Sequence, residues 1–212
     1  MAMNPTRRKL AIATWSAPSE GNIFGKLTLD AEEAEAFLAH LRATTGEKVT
    51  ITHLVGKAVA HALARSPGLN GRILFGRYLP HDTVDVTFLV ALEDGGDLAK
   101  AKIVHADQRT LPEIAADLRG RAERLRGGKD PDFEKSKAAL RLLPTWVLRP
   151  IVWLTGWLSG ALGVNLPALG VERFAFGSAI ITSVGMFGLD EGFAPFTPFA
   201  RVPVLVLVGA VA

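Results

Sequence analysis

Chemistry in a protein without cysteine has to come from hydroxyls, imidazoles, carboxylates and amines, and this 212-residue sequence has no cysteine. Disulfides, thiolate zinc sites and a cysteine nucleophile are excluded together, which fits a cytoplasmic protein. Its five histidines are His40, His53, His61, His81 and His105. None forms a metal-like pair with a carboxylate, and His53 and His61, on one expected helix, align only loosely. A surface or hydrogen-bonded structural role is the simplest reading for each, and no metal is expected. No Gly-x-x-x-x-Gly-Lys phosphate loop, G-x-G-x-x-G fingerprint or G-x-S-x-G elbow is present. The remaining candidate is Ser183 in "ITSVGMFGLDEGFAPFTPFARVPVLVLVGAV", a hydroxyl that closes a β-branched run and is followed at once by glycine-containing turns. Such a serine is either a plain strand end or a hydrogen-bond donor held at the end of a sheet.

The composition bounds what can surround that serine. With 49% hydrophobic and 21% charged residues, the chain has the profile of a globular domain with ample core material, and one domain is the default. A net charge of +3, with basic residues scattered among acids as in "DLRGRAERLRGGKDPDFEK", is too weak for a nucleic-acid footprint. "MAMNPTRRKLAIATW" lacks the uninterrupted apolar stretch of a signal peptide. The longest apolar run, Pro150 to Val164, is shorter than the roughly 20 residues a spanning helix needs.

The patterning positions Ser183 within an alternation of strands and helices. Ile23 to Asp30 alternates as a strand, after which Asp30 and Glu33 predict a box-like helix start, with Ala34, Phe37, Leu38 and Leu41 on the buried face and an end near Gly46. A deeply buried helix follows from about Thr52 to Arg65. "TVDVTFLVAL" (Thr83 to Leu92), a turn at "EDGGD" and "KAKIVHA" predict a hairpin. Thr110 and Glu113 open another helix, buried through Leu111, Ile114, Leu118, Ala122 and Leu125. From about 134 to 170 the chain turns apolar, with three of its four tryptophans among prolines and glycines, and reads as two or three short helices. "GSAIITSVGMF" and "VPVLVLVGAVA" are two further strands. The pattern alone gives mixed α/β with a large central sheet.

Four blocks in register resemble one family. "TSVGMFGLDEGFAPFTPFARVPVLVLVG" is similar to the T-x-S-N-x-G-M-F-G-x-D segment and following strand of the acyltransferase component of 2-oxo acid dehydrogenase complexes, in its catalytic domain. "KVTITHLVGKAVAHALARSPGLNGRI" resembles the family's buried helix and P-x-L-N turn. "VDVTFLVALEDGGDLAKAKIVHADQRTLPEIAADLRGRAERLRGGK" resembles its hairpin and next helix, and "TRRKLAIATWSAP" its opening segment. The resemblance implies an α/β two-layer sandwich with a large mixed sheet, the chloramphenicol acetyltransferase-like fold, carrying an apolar helical insert over about 134–170. It also implies one acyltransferase-like domain over 1–212 and a homotrimer or a multiple of trimers.

It implies, too, acyl transfer between a thiol carrier and coenzyme A. A histidine acts as base, and Ser183, by motif position, donates to the oxyanion. Thr182, Gly185 and Phe187 of the same motif are the expected substrate contacts. The chain departs from the pattern in two ways. Val184 stands where the family has asparagine, and no H-x-x-x-D-G occurs in these 212 residues, so the base histidine is expected in a C-terminal segment beyond the last strand, cut off from this sequence. No lipoyl attachment site is present, so an acyl carrier or lipoyl domain of another chain is the expected partner. Three accounts of the Trp-rich insert stand open: part of a core or subunit interface, the lining of an acyl channel, or a membrane-surface contact through 146–164 with Trp146, Trp153 and Trp157. A non-catalytic trimeric scaffold of the same fold is the alternative to an enzyme.

Overall fold

In the computed structural model, residues 5–16, 21–92, 97–126, 143–167, 171–195 and 198–211 are described. The turn expected at "EDGGD" and much of the first half of the insert lie outside them. Helices α1 (Pro5–Thr14), α2 (Glu32–Thr45) and α3 (Ile51–Arg65) come first, followed by strands β1 (Gly71–Leu74), β2 (Arg77–Pro80), β3 (Val86–Leu92) and β4 (Asp97–Ile103). Then come α4 (Leu111–Arg126), α5 (Thr145–Gly156), a π-helical turn (Trp157–Ala161), β5 (Ala179–Ser183) and β6 (Val204–Val208).

Local chemistry explains the helix ends. α2 begins with Glu32, Glu33 and Glu35, whose charges favour the positive end of the helix dipole, and stops at Gly46, whose φ of 71° lets its N–H reach the Arg42 carbonyl. At α4, Thr110 N–H donates to Glu113 Oε2 at 2.7 Å and Glu113 N–H returns to the Thr110 hydroxyl at 3.5 Å, the reciprocal arrangement expected from the sequence. At α2 the expectation fails: Asp30 accepts from Glu32 N–H at 3.0 Å, but the cap position is Ala31 and Glu33 makes no box. Asp30 therefore sits one residue too early and closes a turn onto its second neighbour instead.

The main sheet has the order β4-β3-β5-β6 and is mixed. β3 and β4 form the expected antiparallel hairpin, with Val86 opposite Ile103 and Phe88 opposite Ala101. β5 lies parallel to both β3 and β6, pairing Phe88 with Ile181 and Ser183 with Val208. Such central strands are buried on both faces, which is why they read as unbroken apolar runs. On one face, Val86, Phe88, Ile103, Ala179, Ile181 and Val208 pack against Ala60 and Leu63 of α3 and Ile114 and Leu118 of α4. On the other, Ile180 packs with Ala200, Val202 and Phe199. α5 closes over that second side, where Gly156 approaches Phe199 so nearly that a Cβ would overlap its ring. α1 packs along α5.

Two expectations change. Residues 23–30 form no strand; Ile23, Leu27 and Leu29 are 101%, 86% and 79% exposed. Alternation supplies a face, but a strand also needs a neighbour to bond its backbone, and among the described residues this segment has none. A small hairpin, β1 with β2, was not foreseen. Its turn is Phe75–Gly76, both with positive φ (50° and 72°), and a phenylalanine at such a position hides the usual Asn-Gly signal.

Candidate functional site

Ser183 is the last residue of β5, and its side chain falls on the face shared with Ala179 and Ile181, toward the helix layer. It is half-buried, and among the described residues its hydroxyl has no hydrogen-bond partner. A half-buried O–H with no protein partner is free to donate to a ligand oxygen. Thr182 alternates onto the opposite face with Ile180, so the strand places these two hydroxyls on different sides.

The backbone after Ser183 is held by close approaches. Val184 N–H continues the ladder to the Val208 carbonyl at 2.9 Å, after which Gly185–Phe187 forms a 3-10 turn closed by Gly188 at φ 69°. A Cβ on Gly185 would stand 2.8 Å from the Gly209 carbonyl, and one on Gly209 would overlap the Asp190 carbonyl. Ala210 N–H bonds the Leu189 carbonyl at 2.9 Å. The turn, the end of β6 and the 189–190 segment thus interlock through two glycines, and Ser183 is fixed where the interlock begins. Gly185 is therefore a backbone-packing position, and Phe187 is 57% exposed. The Gly209 approach was not anticipated; a glycine directly after one apolar strand, with another two residues after its neighbour, was the available signal.

Around this strand end lies an open apolar surface. Met186, Phe187, Leu189 and Phe193 are all more than half exposed. Phe24 meets Phe193 edge-on at 5.8 Å between ring centres, and Lys26 pairs with Glu191, so the extended 21–31 segment runs beside them.

None of the five histidines is hydrogen-bonded to Ser183 among the described residues. His53 Nδ1 accepts the Thr50 N–H at 2.9 Å and caps α3, its ring 6.3 Å from Phe88; burial pushes its pKa down. His81 meets Phe174 edge-on at 4.4 Å between ring centres, and burial, then the Arg72 charge, hold its pKa low. His40, His61 and His105 are exposed. His53 is thus a hydrogen-bonded structural histidine, whereas His81 is held by ring packing, its buried Nδ1 without a hydrogen-bond partner among the described residues. Among the described residues, no group of three or more His, Asp or Glu side chains could hold a metal ion.

A second polar cluster surrounds Lys102, which is only 8% exposed. Its Nζ bonds the carbonyls of Arg173 and Phe174 at 3.0 and 3.2 Å, pairs with Glu172 at 2.7 Å and lies 4.0 Å from Asp85. Burial pushes the Glu172 carboxyl up, but Lys100 and Lys102 outweigh it and hold its pKa below the usual value. Every donor of Lys102 is engaged, so the cluster anchors the 172–178 loop to the sheet.

Comparison with known proteins adds three findings. The family described as 2-oxoacid dehydrogenases acyltransferase (catalytic domain) matches residues 5–137. The dihydrolipoyllysine-residue acetyltransferase component of the acetoin cleaving system of Bacillus subtilis is 37% identical over 84 residues, 40% of this chain and 21% of that protein. The lipoamide acyltransferase component of the branched-chain alpha-keto acid dehydrogenase complex of the same organism is 33% identical over 86 residues, 41% of this chain and 20% of that protein. The chain thus spans about one-fifth of the length of these curated relatives. Among solved structures, the dihydrolipoamide acetyltransferase of Azotobacter vinelandii aligns with a TM-score of 0.54 at 23% identity, covering 86% of this chain and 60% of that one. In that enzyme a serine, a histidine and an asparagine have been investigated for their role in the catalytic mechanism. The cubic core of a pyruvate dehydrogenase multienzyme complex aligns equally well, at 22% identity, with coverage of 86% and 60%. These likenesses establish the fold, that of the chloramphenicol acetyltransferase-like catalytic cores.

Proposed function

The chain belongs to the family of 2-oxoacid dehydrogenase acyltransferase catalytic domains, and from that premise we propose that it is the acyl-transferring part of a thiol-dependent acyltransferase, with Ser183 as the oxyanion donor. The observation that carries this reading is the half-buried, unpartnered hydroxyl of Ser183 at the interlocked end of β5. In the reaction, the sulfur of one thiol attacks the carbonyl carbon of a thioester as a base removes its proton. The carbonyl electrons move onto oxygen, and the tetrahedral intermediate collapses by expelling the second thiol, which regains the proton. Ser183 Oγ–H serves the intermediate because it is not spent on a protein partner and its backbone cannot relax away, so its donor is preorganised for the charge that develops. The family's H-x-x-x-D-G histidine is the base this step requires.

Coenzyme A is the proposed acceptor and a lipoyl-type dithiol on another chain the proposed donor, since both are the family's thiols. A homotrimer, or a multiple of one, is the proposed assembly: the exposed side chains of Ile23, Phe24, Leu27, Leu29, Met186, Phe187 and Phe193 form a surface that a neighbouring subunit would cover, beside Ser183. The cysteine-free composition supports a cytoplasmic location.

The test is Ser183→Ala in the whole protein, assayed for acyl transfer from a dihydrolipoyl thioester to coenzyme A. Turnover should fall about a hundredfold with the melting temperature unchanged. Undiminished turnover removes Ser183 from the mechanism.

A further inference from the structure

Where the apolar insert meets the loop leading into β5, the structure gathers a cluster of cations that the acyl-transfer reading does not use. Arg72 comes from β1, His81 follows β2 directly, and Arg173 and Phe174 belong to the loop. Phe174 has a φ of 45°, a left-handed value unfavourable for a bulky residue. Held there, its ring meets two guanidinium groups: Arg72 Cζ lies 4.5 Å and Arg173 Cζ 4.9 Å from the ring centre. Backbone strain of this kind concentrates at ligand sites, and here it brings two like charges onto one side chain.

The two arginines are held differently. Arg72 is half-buried and its Nε donates to the Ala161 carbonyl at 2.8 Å, so its guanidinium is fixed; its Nη groups have no acceptor among the described residues. The Arg173 side chain is 56% exposed, and its ion pair with Asp82, itself 88% exposed, is 3.9 Å long. So long a contact between exposed groups holds little, and Arg173 can swing. The other carboxylates nearby are engaged: Glu172 with Lys100 and Lys102, Asp85 with Lys102 and the His105 N–H. The two guanidiniums therefore share a ring without a close counter-ion among the described residues. Their neighbours register the charge, since burial and then Arg173 lower the pKa of Arg72, and burial and then Arg72 lower that of His81.

An aromatic ring engages only the face of a guanidinium, leaving the in-plane N–H groups to donate, and such a planar fork matches an oxyanion. A carboxylate offsets one of the two cations. A phosphoryl group, with a charge of about −1.5 to −2 at pH 7 and three acceptor oxygens, offsets both. We propose that Arg72 and Arg173 form a binding site for a phosphoryl group, with Arg72 as the fixed fork and Arg173 as the arm that closes on it. The loop enters β5 at Ala179 and Ser183 ends that strand, so this site is separate from the candidate acyl-transfer site and stands or falls apart from it.

The test is isothermal titration calorimetry of the whole protein with inorganic phosphate in low salt at about pH 8, where phosphate is a dianion. One equivalent per chain should bind with a dissociation constant of about 1 mM or tighter and raise the melting temperature. Acetate at the same ionic strength should bind at least about fivefold more weakly. Arg72→Gln should abolish measurable binding. Arg173→Gln removes no hydrogen bond that the Arg173 side chain makes within the protein, and it should weaken binding about tenfold at an unchanged melting temperature, which keeps the test decisive if Arg72→Gln folds poorly. Glycerol 3-phosphate identifies the source of the group: tighter binding than inorganic phosphate assigns the site to a phosphate ester, equal or weaker binding to phosphate itself. Phosphate that at about 10 mM neither binds nor raises the melting temperature overturns the proposal. Affinity unchanged in both arginine variants overturns it too, and acetate binding as tightly as phosphate removes the phosphoryl assignment.

Discussion

Replacing Gly185 by alanine tests the interlock that holds Ser183. The added Cβ would lie 2.8 Å from the Gly209 carbonyl oxygen and 3.1 Å from both the nitrogen and the Cα of Ala210. All three are backbone atoms, so no rotamer change relieves the overlap. The ends of β5 and β6 have to part by roughly half an ångström, stretching the 2.9 Å bond from Val184 N–H to the Val208 carbonyl. Forcing a methyl group into such packing costs about 1–3 kcal/mol. For a chain of this length each kcal/mol corresponds to about 2–4 °C, so the melting temperature should fall by roughly 2–12 °C in a calorimetric or circular-dichroism scan. Gly120→Ala is the matched control, because nothing lies within 4 Å of a Cβ there and the residue is inside α4. It should stabilise by about 0.5–1 kcal/mol, the ordinary helix preference for alanine. Well below its melting temperature, Gly185→Ala should also lose turnover, since displaced donors are costly to catalysis. If Gly185→Ala melts with or above the parent protein, the close approach is not a constraint and Ser183 is not held as described.

Two further outcomes follow from the buried polar groups. His53 is held neutral by burial, with its Nδ1 accepting the Thr50 N–H, so its folded pKa lies below 6.5. The unfolded chain takes up a proton that the folded one refuses; this contribution is fully present above pH 6.5 and is lost as pH falls through the folded pKa. Denaturant midpoints measured across that range should decline toward acid. In His53→Gln, whose side-chain oxygen can serve the same cap, the decline should be shallower, with His81 leaving a residual slope. An equally steep decline would sink the assignment. Lys102→Met keeps the apolar stem but leaves two carbonyls and Asp85 without their cation. It should cost about 2–3 kcal/mol in urea unfolding, Glu172 being exposed enough to rehydrate. A loss below about 0.5 kcal/mol, typical of a surface position, would mean that the 172–178 loop is anchored by something else.

Much of the architecture was legible because its signals are local. The apolar runs at Val86–Leu92, Ala179–Ser183 and Val204–Val208 are strands, and β3 and β5 pack apolar side chains on both faces of the sheet. Thr110 and Glu113 make a box because three residues separate them. The segment 23–30 misled for the complementary reason: its alternation is real, yet the partner strand that would use it is not a property of the segment. The β1–β2 hairpin was missed because Phe75 takes a left-handed conformation that its own side chain disfavours and the pairing of Gly71–Leu74 with Arg77–Pro80 imposes.

At the candidate site the division is similar. Residue order alone singled out Ser183 and its glycine turns, since a motif is a matter of types and spacing. It could not say that Thr182 faces away from Ser183, that Gly185 is a packing position against Gly209, or that His53 is spent on a helix cap. Nor could it tell which tryptophans are exposed: Trp15 and Trp146 are, whereas Trp153 and Trp157 are partly buried. Types, periods and caps are set by interactions within a few residues. Which strand end meets which turn, and which apolar face is left uncovered, depends on contacts between segments whose separation along the chain carries no trace of their approach in space.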